Sequence, residues 1–352
     1  MKYLLNISTE ASDLDIAGED WSAVVALLEE ERFDGVEVYP TPGYDLTKIP
    51  ASIVTGLHLR FFVIIEPIWH GDRRRLLEIF GNEDTVRHFY GGTDRQALID
   101  AYREQLRVAA EFGCEYVVFH AAQCELEYIF DWQFPWTWQH SIDLCAELIN
   151  EVMRDTDYQG KLLFENLWWP GSFRLDGPEE IERLLGAVRY PNSGVVLDTG
   201  HILNKNQAIQ GEADAIAYLL DAVKSLGTAA STIQAVHLTR SLSADYVIMS
   251  RQLQNAYAGA ETFWDRFEIA RRHVEQIDTH DAFESPAIAA LFEFIAPEHV
   301  VFEFAFKSLA EWRRMVRTQC NALFHGLPHK NGIDPTGRRV PPRSARCVGR
   351  PR

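Results

Sequence analysis

Short apolar, β-branched runs alternate along this chain with longer amphipathic stretches, the pattern of βα units laid on a parallel sheet. Eight strands are expected, at Lys2–Ser8, Gly35–Tyr39, Gly56–Val63, Tyr116–His120, Lys161–Asn166, Gly194–Asp198, Ile233–Leu238 and Val300–Phe304. Runs such as LLNI, VVF and GVVL lack polar alternation, as strands covered on both faces should. The helical stretches are Trp21–Phe33, Asp94–Phe112, Thr137–Arg154, Pro178–Val188, Ala213–Leu226, Pro286–Ile295 and Ser308–Leu323. The first follows an acidic pair, Glu19-Asp20, suited to a helix start. Eight strands that each lead towards a helix predict an α/β fold, a single (β/α)8 barrel, with a doubly wound open sheet as the alternative.

Two connections are too long for simple loops. One runs from about Ile65 to Gly92 and carries Trp69, His70 and Tyr90; the other, Ser241 to Ile277, has its own helical stretch at Phe263–Ile277. Both follow strands, so both belong at the C-terminal face of the barrel, where long loops form lids and substrate walls.

Composition narrows the setting. The apolar fraction of 47% supports a large core. No apolar run is long enough to span a bilayer, and MKYLLNIS reads as a strand rather than a signal peptide. Five scattered cysteines without a C-x-x-C pair point to reduced thiols in a cytoplasm. Net charge is −17; residues 326–352 hold seven Lys/Arg and one Asp, leaving the body near −23. A body that acidic repels a nucleic-acid backbone and points to a small-molecule substrate. The chain divides into a barrel over 1–325 and a basic, Pro/Arg-rich tail over 326–352, whose composition predicts disorder. Barrels of this size often pair, so a homodimer is the expected assembly.

The chemistry lies at the strand ends. His58, His120, Glu165, Asp198, His201, His237, Asp278, His280 and Glu303 each fall at the C-terminal end of a strand-like run or in the turn after it. Imidazole and carboxylate bind Zn²⁺, Mn²⁺ or Fe²⁺. One histidine at a strand end is more often structural than a ligand, but five of the twelve fall at such positions. A carboxylate closing a buried run, as in KLLFE and VVFE, is costly unless paired or metal-bound. In DTH, an extended backbone would put Asp278 and His280 on one face.

The motifs GLHL, VVFHAA, LLFEN, VVLDTGH, AVHL, DTH and VFEF, in that order, resemble the endonuclease IV / xylose isomerase-like barrel superfamily over residues 1–325. The resemblance to the endonuclease IV branch implies up to three divalent ions, Zn²⁺ or Mn²⁺. His58, His120 and Glu165 would hold one. Glu165 would bridge to a second, completed by Asp198, His237 and Glu303. His201, Asp278 and His280 would hold the third. The implied activity is phosphoester hydrolysis on a small or medium-sized substrate, and one cobamide-remodelling subfamily of such barrels cuts at a nucleotide loop. The sugar (phosphate) isomerase/epimerase branch implies instead one Mn²⁺ or Co²⁺ at Glu165, Asp198, His237 and Glu303, with Glu165 and Glu303 as the catalytic acid/base pair. The chain departs from the DNA-cleaving pattern: DTGH stands where those proteins have DTCH, and about forty residues separate His237 from Asp278.

Other residues are candidates for the substrate wall. Trp168 and Trp169 follow Glu165 closely, and in an extended strand adjacent side chains would face opposite ways, leaving one for a stacking wall. Trp132, Phe134, Trp136 and Trp138 alternate after the fourth strand and would extend it. Arg60 and Arg240 lie just past ligand strands and are candidates for phosphate or carboxylate binding, with a structural salt bridge as the equal alternative. Glu37 and Tyr39 close the second strand.

Overall fold

A computed structural model describes residues 1–18, 20–243, 246 and 251–324. The basic tail at 326–352, expected to be disordered, lies outside the described residues. Eight parallel strands close in sequence order into a barrel: β1 (Lys2–Ser8), β2 (Gly35–Tyr39), β3 (Val54–His58), β4 (Tyr116–His120), β5 (Lys161–Glu165), β6 (Ser193–Asp198), β7 (Ile233–Leu238) and β8 (His299–Phe302). The open-sheet alternative is thereby excluded. Three strands end before their apolar runs suggest. β3 stops at His58, β5 at Glu165 and β8 at Phe302, because the segments beyond turn into the rim.

Side chains in a strand alternate between faces, so the inner face of this barrel can be read by steps of two. Leu4, Tyr116, Val118, Leu163, Val196, Ala235 and Val301 pack together inside. Two residues further on, five of these strands or their ends carry His120, Glu165, Asp198, His237 and Glu303. Gly56 precedes His58 in the same way and pairs with Tyr116 across β3 and β4. The apolar layer is thus a floor, and the ligand-type residues form the layer above it. Register keeps them level: His120 pairs with Glu165, and Asp198 pairs with His237.

Outside the strands lie α1 (Ala11–Ala17), α2 (Ser22–Glu31), α3 (Glu66–Trp69), α4 (Arg73–Phe80), α5 (Glu83–Tyr90), α6 (Arg95–Phe112), α7 (Trp138–Val152), α8 (Pro178–Ala187), α9 (Thr199–Asn204), α10 (Glu212–Ser225), α11 (Arg251–Gly259), α12 (Phe263–Ile277) and α13 (Leu309–Phe324). Their starts are written in the sequence. Asp94 caps α6 by accepting from the amides of Gln96 and Ala97, and Thr137 caps α7. The long 65–92 connection proves to hold three helices, α3 to α5. The expected helix at Pro286–Ile295 is a 3₁₀ segment, Pro286–Glu293. Between β2 and β3 the chain forms two 3₁₀ turns, Leu46–Lys48 and Ala51–Ile53, in place of an α-helix. Among the described residues, no helix is long and apolar enough to cross a membrane.

Tyr116 fills the floor because residue 56 has no side chain; a Cβ there would collide with the phenol ring. The Tyr116 hydroxyl in turn donates to Glu37 Oε2 at 2.7 Å. Gly56→Ala is expected to destabilise the barrel by about 1–3 kcal/mol, as overpacked cores do. A urea midpoint equal to that of the wild type would contradict this packing.

Candidate metal centre

The nine strand-end residues converge. Ligand-type atoms of His58, His120 and Glu165 lie within 4.8 Å of one another, as do those of Glu165, Asp198, His237 and Glu303, and those of His201, Asp278 and His280. Glu165 joins the first two sets. Its Oε2 lies 3.0 Å from His58 Nε2 and 3.2 Å from His120 Nε2, while its Oε1 lies 3.2 Å from His237 Nδ1 and 3.4 Å from His201 Nδ1. One oxygen thus serves each side, the geometry of a bridging carboxylate.

The chain fixes most of these rings from behind. His58 Nδ1 donates to its neighbour's carbonyl, Leu59 O, at 3.1 Å. His201 Nδ1 donates to Asn166 O at 2.6 Å, and His237 Nε2 donates to Glu37 Oε2 at 3.2 Å. In each case the other ring nitrogen is left facing the carboxylates, the supporting arrangement typical of metal-binding histidines. Asp198 divides its two oxygens. Oδ1 accepts from the His201 amide at 2.6 Å and so caps α9, while Oδ2 is buried without a hydrogen-bond partner. His120 Nδ1 is a second buried atom with no partner. Orphaned buried polar atoms are costly. Together with a donor set of imidazoles and carboxylates and no thiolate, they fit hard or borderline divalent cations.

The third set is reached by an unexpected backbone path. Asp278 ends α12 and His280 has φ 50°, so DTH is a left-handed turn and not the extended segment that its spacing suggests. The two side chains still meet: His280 Nε2 lies 2.7 Å from Asp278 Oδ2, which also lies 3.0 Å from His201 Nε2. Asp278 Oδ1 is held by Asn204 Nδ2 and the Ser241 hydroxyl, each at 2.9 Å. The excursion after β7 is closed at its base by paired amides of Arg240 and Asp281, at 2.8 and 2.9 Å. Its length therefore does not separate Asp278 from the strand ends.

Five imidazoles and five carboxylates, Glu37 included, share this mouth. Burial alone would discharge them all, but their mutual fields decide the outcome. Burial pushes the Asp198 carboxyl up to about 7, despite His201. Burial also disfavours charge on His280, yet Asp278 overrides it and lifts the imidazole to about 9. His201 and His237 likewise rise against their burial, His201 through Asp198 and Asp278 and His237 through Glu37 and Glu165. Against its burial, Glu303 is held down to about 2, chiefly by His237.

The surrounding candidates divide. Trp168 and Trp169 are both buried at the mouth, with ring centroids 5.3 Å apart. The strand ends at Glu165, so the alternation expected of them does not apply; they occupy a turn. Trp168 lies 4.9 Å from the His201 ring. Trp169 stacks with Phe61 at 6.2 Å, and Phe61 lies 4.6 Å from His120. Of the alternating aromatics, Phe134 reaches Trp169 at 6.4 Å, and Trp136 packs on Phe134 at 5.8 Å. Trp132 instead turns left-handed at φ 57°, and Trp138 opens α7. Arg240 is paired with Glu212 at 2.6 Å, whereas Arg60 has no such partner among the described residues. Asn166, Asn204, Ser241, Tyr116 and Phe61 escaped the sequence reading. Only Asn166 carried a signal, as the residue directly after Glu165 in LLFEN.

With this geometry in hand, comparison with known proteins is direct. Residues 87–254 match the family model described as xylose isomerase-like TIM barrel. Solved structures of similar fold include endonuclease IV from Thermus thermophilus, at 14% identity and TM-score 0.50, covering 93% of this chain and 100% of that one. The probable 3-DHS dehydratase AsbF from Bacillus anthracis gives 16% identity and TM-score 0.47, covering 92% and 98%. The 3-keto-D-glucoside 4-epimerase YcjR from E. coli gives 13% and 0.44, covering 90% and 97%. No curated protein matches the sequence. The matched model describes the same superfamily that the strand-end motifs resemble.

Protons and cations must compete for this cluster, since a ligand nitrogen has to be deprotonated. His280, lifted to about 9, carries a proton at pH 7 and must release it on ligation. Zinc affinity is therefore expected to weaken as pH falls from about 9 to 6, with at least one proton released per chain at pH 7. Titration calorimetry in two buffers of different ionisation enthalpy measures this directly; zinc binding without proton release would contradict the charge state described.

Proposed function

We propose that this chain is a metal-dependent phosphoester hydrolase with a multinuclear centre, acting on a small or medium-sized substrate rather than on DNA. The observation that carries the reading is the complete third set, His201, Asp278 and His280, beside a Glu165 whose oxygens face two further sets. A single-cation proton shuttle needs only Glu165, Asp198, His237 and Glu303. It gives no reason for a separate loop to return Asp278 and His280 to the rim.

When bound, divalent cations would supply the charge that activates water and stabilises the attacking and leaving oxygens of a phosphoester. The chain's own residues do the rest. Glu165 spans the inner pair of sets, and Asp198 offers its unpartnered Oδ2 while its other oxygen anchors α9. Glu37 holds His237 from behind, and Asn166 holds both His201 and the Asp198 main chain. Trp168, Trp169 and Phe61 cover the imidazoles with apolar surface, which excludes water and offers faces on which a planar group can stack. The acidity of the body, net −17 for the whole chain, favours a compact substrate over a duplex. The free thiols of Cys114, Cys124, Cys145 and Cys320 fit a reducing cytoplasm.

The competing reading is a mononuclear sugar or sugar-phosphate epimerase with Glu165 and Glu303 as acid and base; their set with Asp198 and His237 is complete in itself. A panel of generic phosphodiesters and free ketoses, assayed with Zn²⁺ and with Mn²⁺, separates the two. The expected result is phosphodiester hydrolysis that falls at least about tenfold in His280→Ala, since even the partners of metal ligands typically cost roughly 10–100-fold when removed. Ketose epimerisation that survives His280→Ala, with no phosphodiester cleaved, would overturn the hydrolase reading.

A further inference from the structure

Arg60 is a half-buried cation set against aromatic rings. Its main-chain amide donates to Gln105 Oε1 at 2.6 Å. Its guanidinium carbon lies 4.5 Å from the Phe62 ring centre and 5.5 Å from that of Phe89. Among the described residues, no carboxylate lies within ion-pairing distance of it. Several other partly covered arginines are neutralised, Arg75 by Glu125 and Glu127, Arg174 by Asp176, and Arg240 by Glu212, while Arg266 donates to the Ile79 carbonyl. The groups electrostatically nearest Arg60 are the phenols of Tyr39, Tyr90 and Tyr102, each kept in its neutral form by burial.

Beside this cation is a cavity of about 420 Å³. It lies between the Pro40–Leu46 segment after β2 and the face of α6. Tyr44 lines it; the Tyr44 hydroxyl accepts from Trp21 Nε1 at 2.9 Å and keeps its own proton free to donate. Three other titratable side chains line the space, of which Tyr90 donates its hydroxyl to Ile64 O at 2.6 Å. Glu104 is taken up by Arg107 on its own helix, at 2.6 Å, and His88 is exposed against the edge of Trp264. A guanidinium over an aromatic face keeps its edge of N–H donors available, and that edge matches the two oxygens of a phosphate or carboxylate. A partly desolvated cation without a counter-ion costs stability, and aromatic faces offset only part of that cost.

We propose that Arg60, clamped by Phe62 and Phe89 and facing the cavity it shares with Tyr44, is a binding site for a phosphate or carboxylate group, apart from the metal centre. The anion belongs either to a second acidic group of the substrate or to a separate anionic effector. Only the substrate alternative rests on the hydrolase reading above; the site itself does not.

The test is a calorimetric titration of inorganic phosphate into chelator-stripped protein, for wild type, Arg60→Met and Arg60→Lys, with thermal melting as a check on folding. The difference between wild type and variant isolates this site from phosphate held by the imidazoles of the metal centre. Arg60→Met is expected to weaken phosphate binding at least about tenfold, and Arg60→Lys a few-fold, because lysine keeps the charge but loses the planar fork. Binding by Arg60→Met within about twofold of wild type would overturn the proposal. Should that variant fail to fold, Arg60→Lys decides alone, and unchanged binding overturns it. The source is read from turnover: competitive inhibition by phosphate that disappears in Arg60→Met assigns the anion to the substrate, and non-competitive inhibition assigns it to an effector. If the protein hydrolyses no phosphoester, the titration of stripped protein still stands, so the two readings fail separately.

Discussion

The carboxylate of Glu165 is the hub of this structure. It stands buried at the end of β5 with four imidazoles around two oxygens, His58 and His120 on one side and His201 and His237 on the other. An isolated buried carboxylate costs several kcal/mol. Here the cost is offset because four separate segments deliver positive or polarisable groups to it. Barrel closure makes that delivery, bringing His58 of β3 and His237 of β7 to one carboxylate. Closure in turn requires the apolar floor one layer down, where Tyr116 takes the space that Gly56 leaves and ties Glu37 to the same network. Fold and site are coupled through that stack of two layers.

Much of this was legible in the sequence, because period-two alternation and strand ends determine which side chains face inward. The step from Val118 to His120, or from Leu163 to Glu165, is local information. Strand boundaries were less legible. The β3 run continues through apolar residues to Val63, but after His58 those residues turn into the rim and join the outer core, which no periodicity reports. The alternation expected of Trp168 and Trp169 fails for a related reason: the chain has already left the strand at Glu165.

Asp278 and His280 show a different limit. Spacing suggested one face of an extended segment, whereas the structure uses a helix end followed by a left-handed residue to reach a similar juxtaposition. What holds the turn is long-range: the Arg240–Asp281 amide pair, and the contacts of Asn204 and Ser241 with Asp278. None of these is visible from spacing. The two arginines looked equivalent in sequence for the same reason, since only tertiary contacts give Arg240 its Glu212 and leave Arg60 with aromatic rings.

Within the cluster, neighbouring carboxylates lift the His201 and His237 imidazoles against their burial, while burial pushes the Asp198 carboxyl up to about 7. The most direct test of this account is anomalous diffraction at the zinc absorption edge from crystals grown with zinc. The expected result is density flanked by His58, His120 and Glu165, by Glu165, Asp198, His237 and Glu303, and by His201, Asp278 and His280. Zinc found only elsewhere, with these side chains still paired to one another, would contradict it.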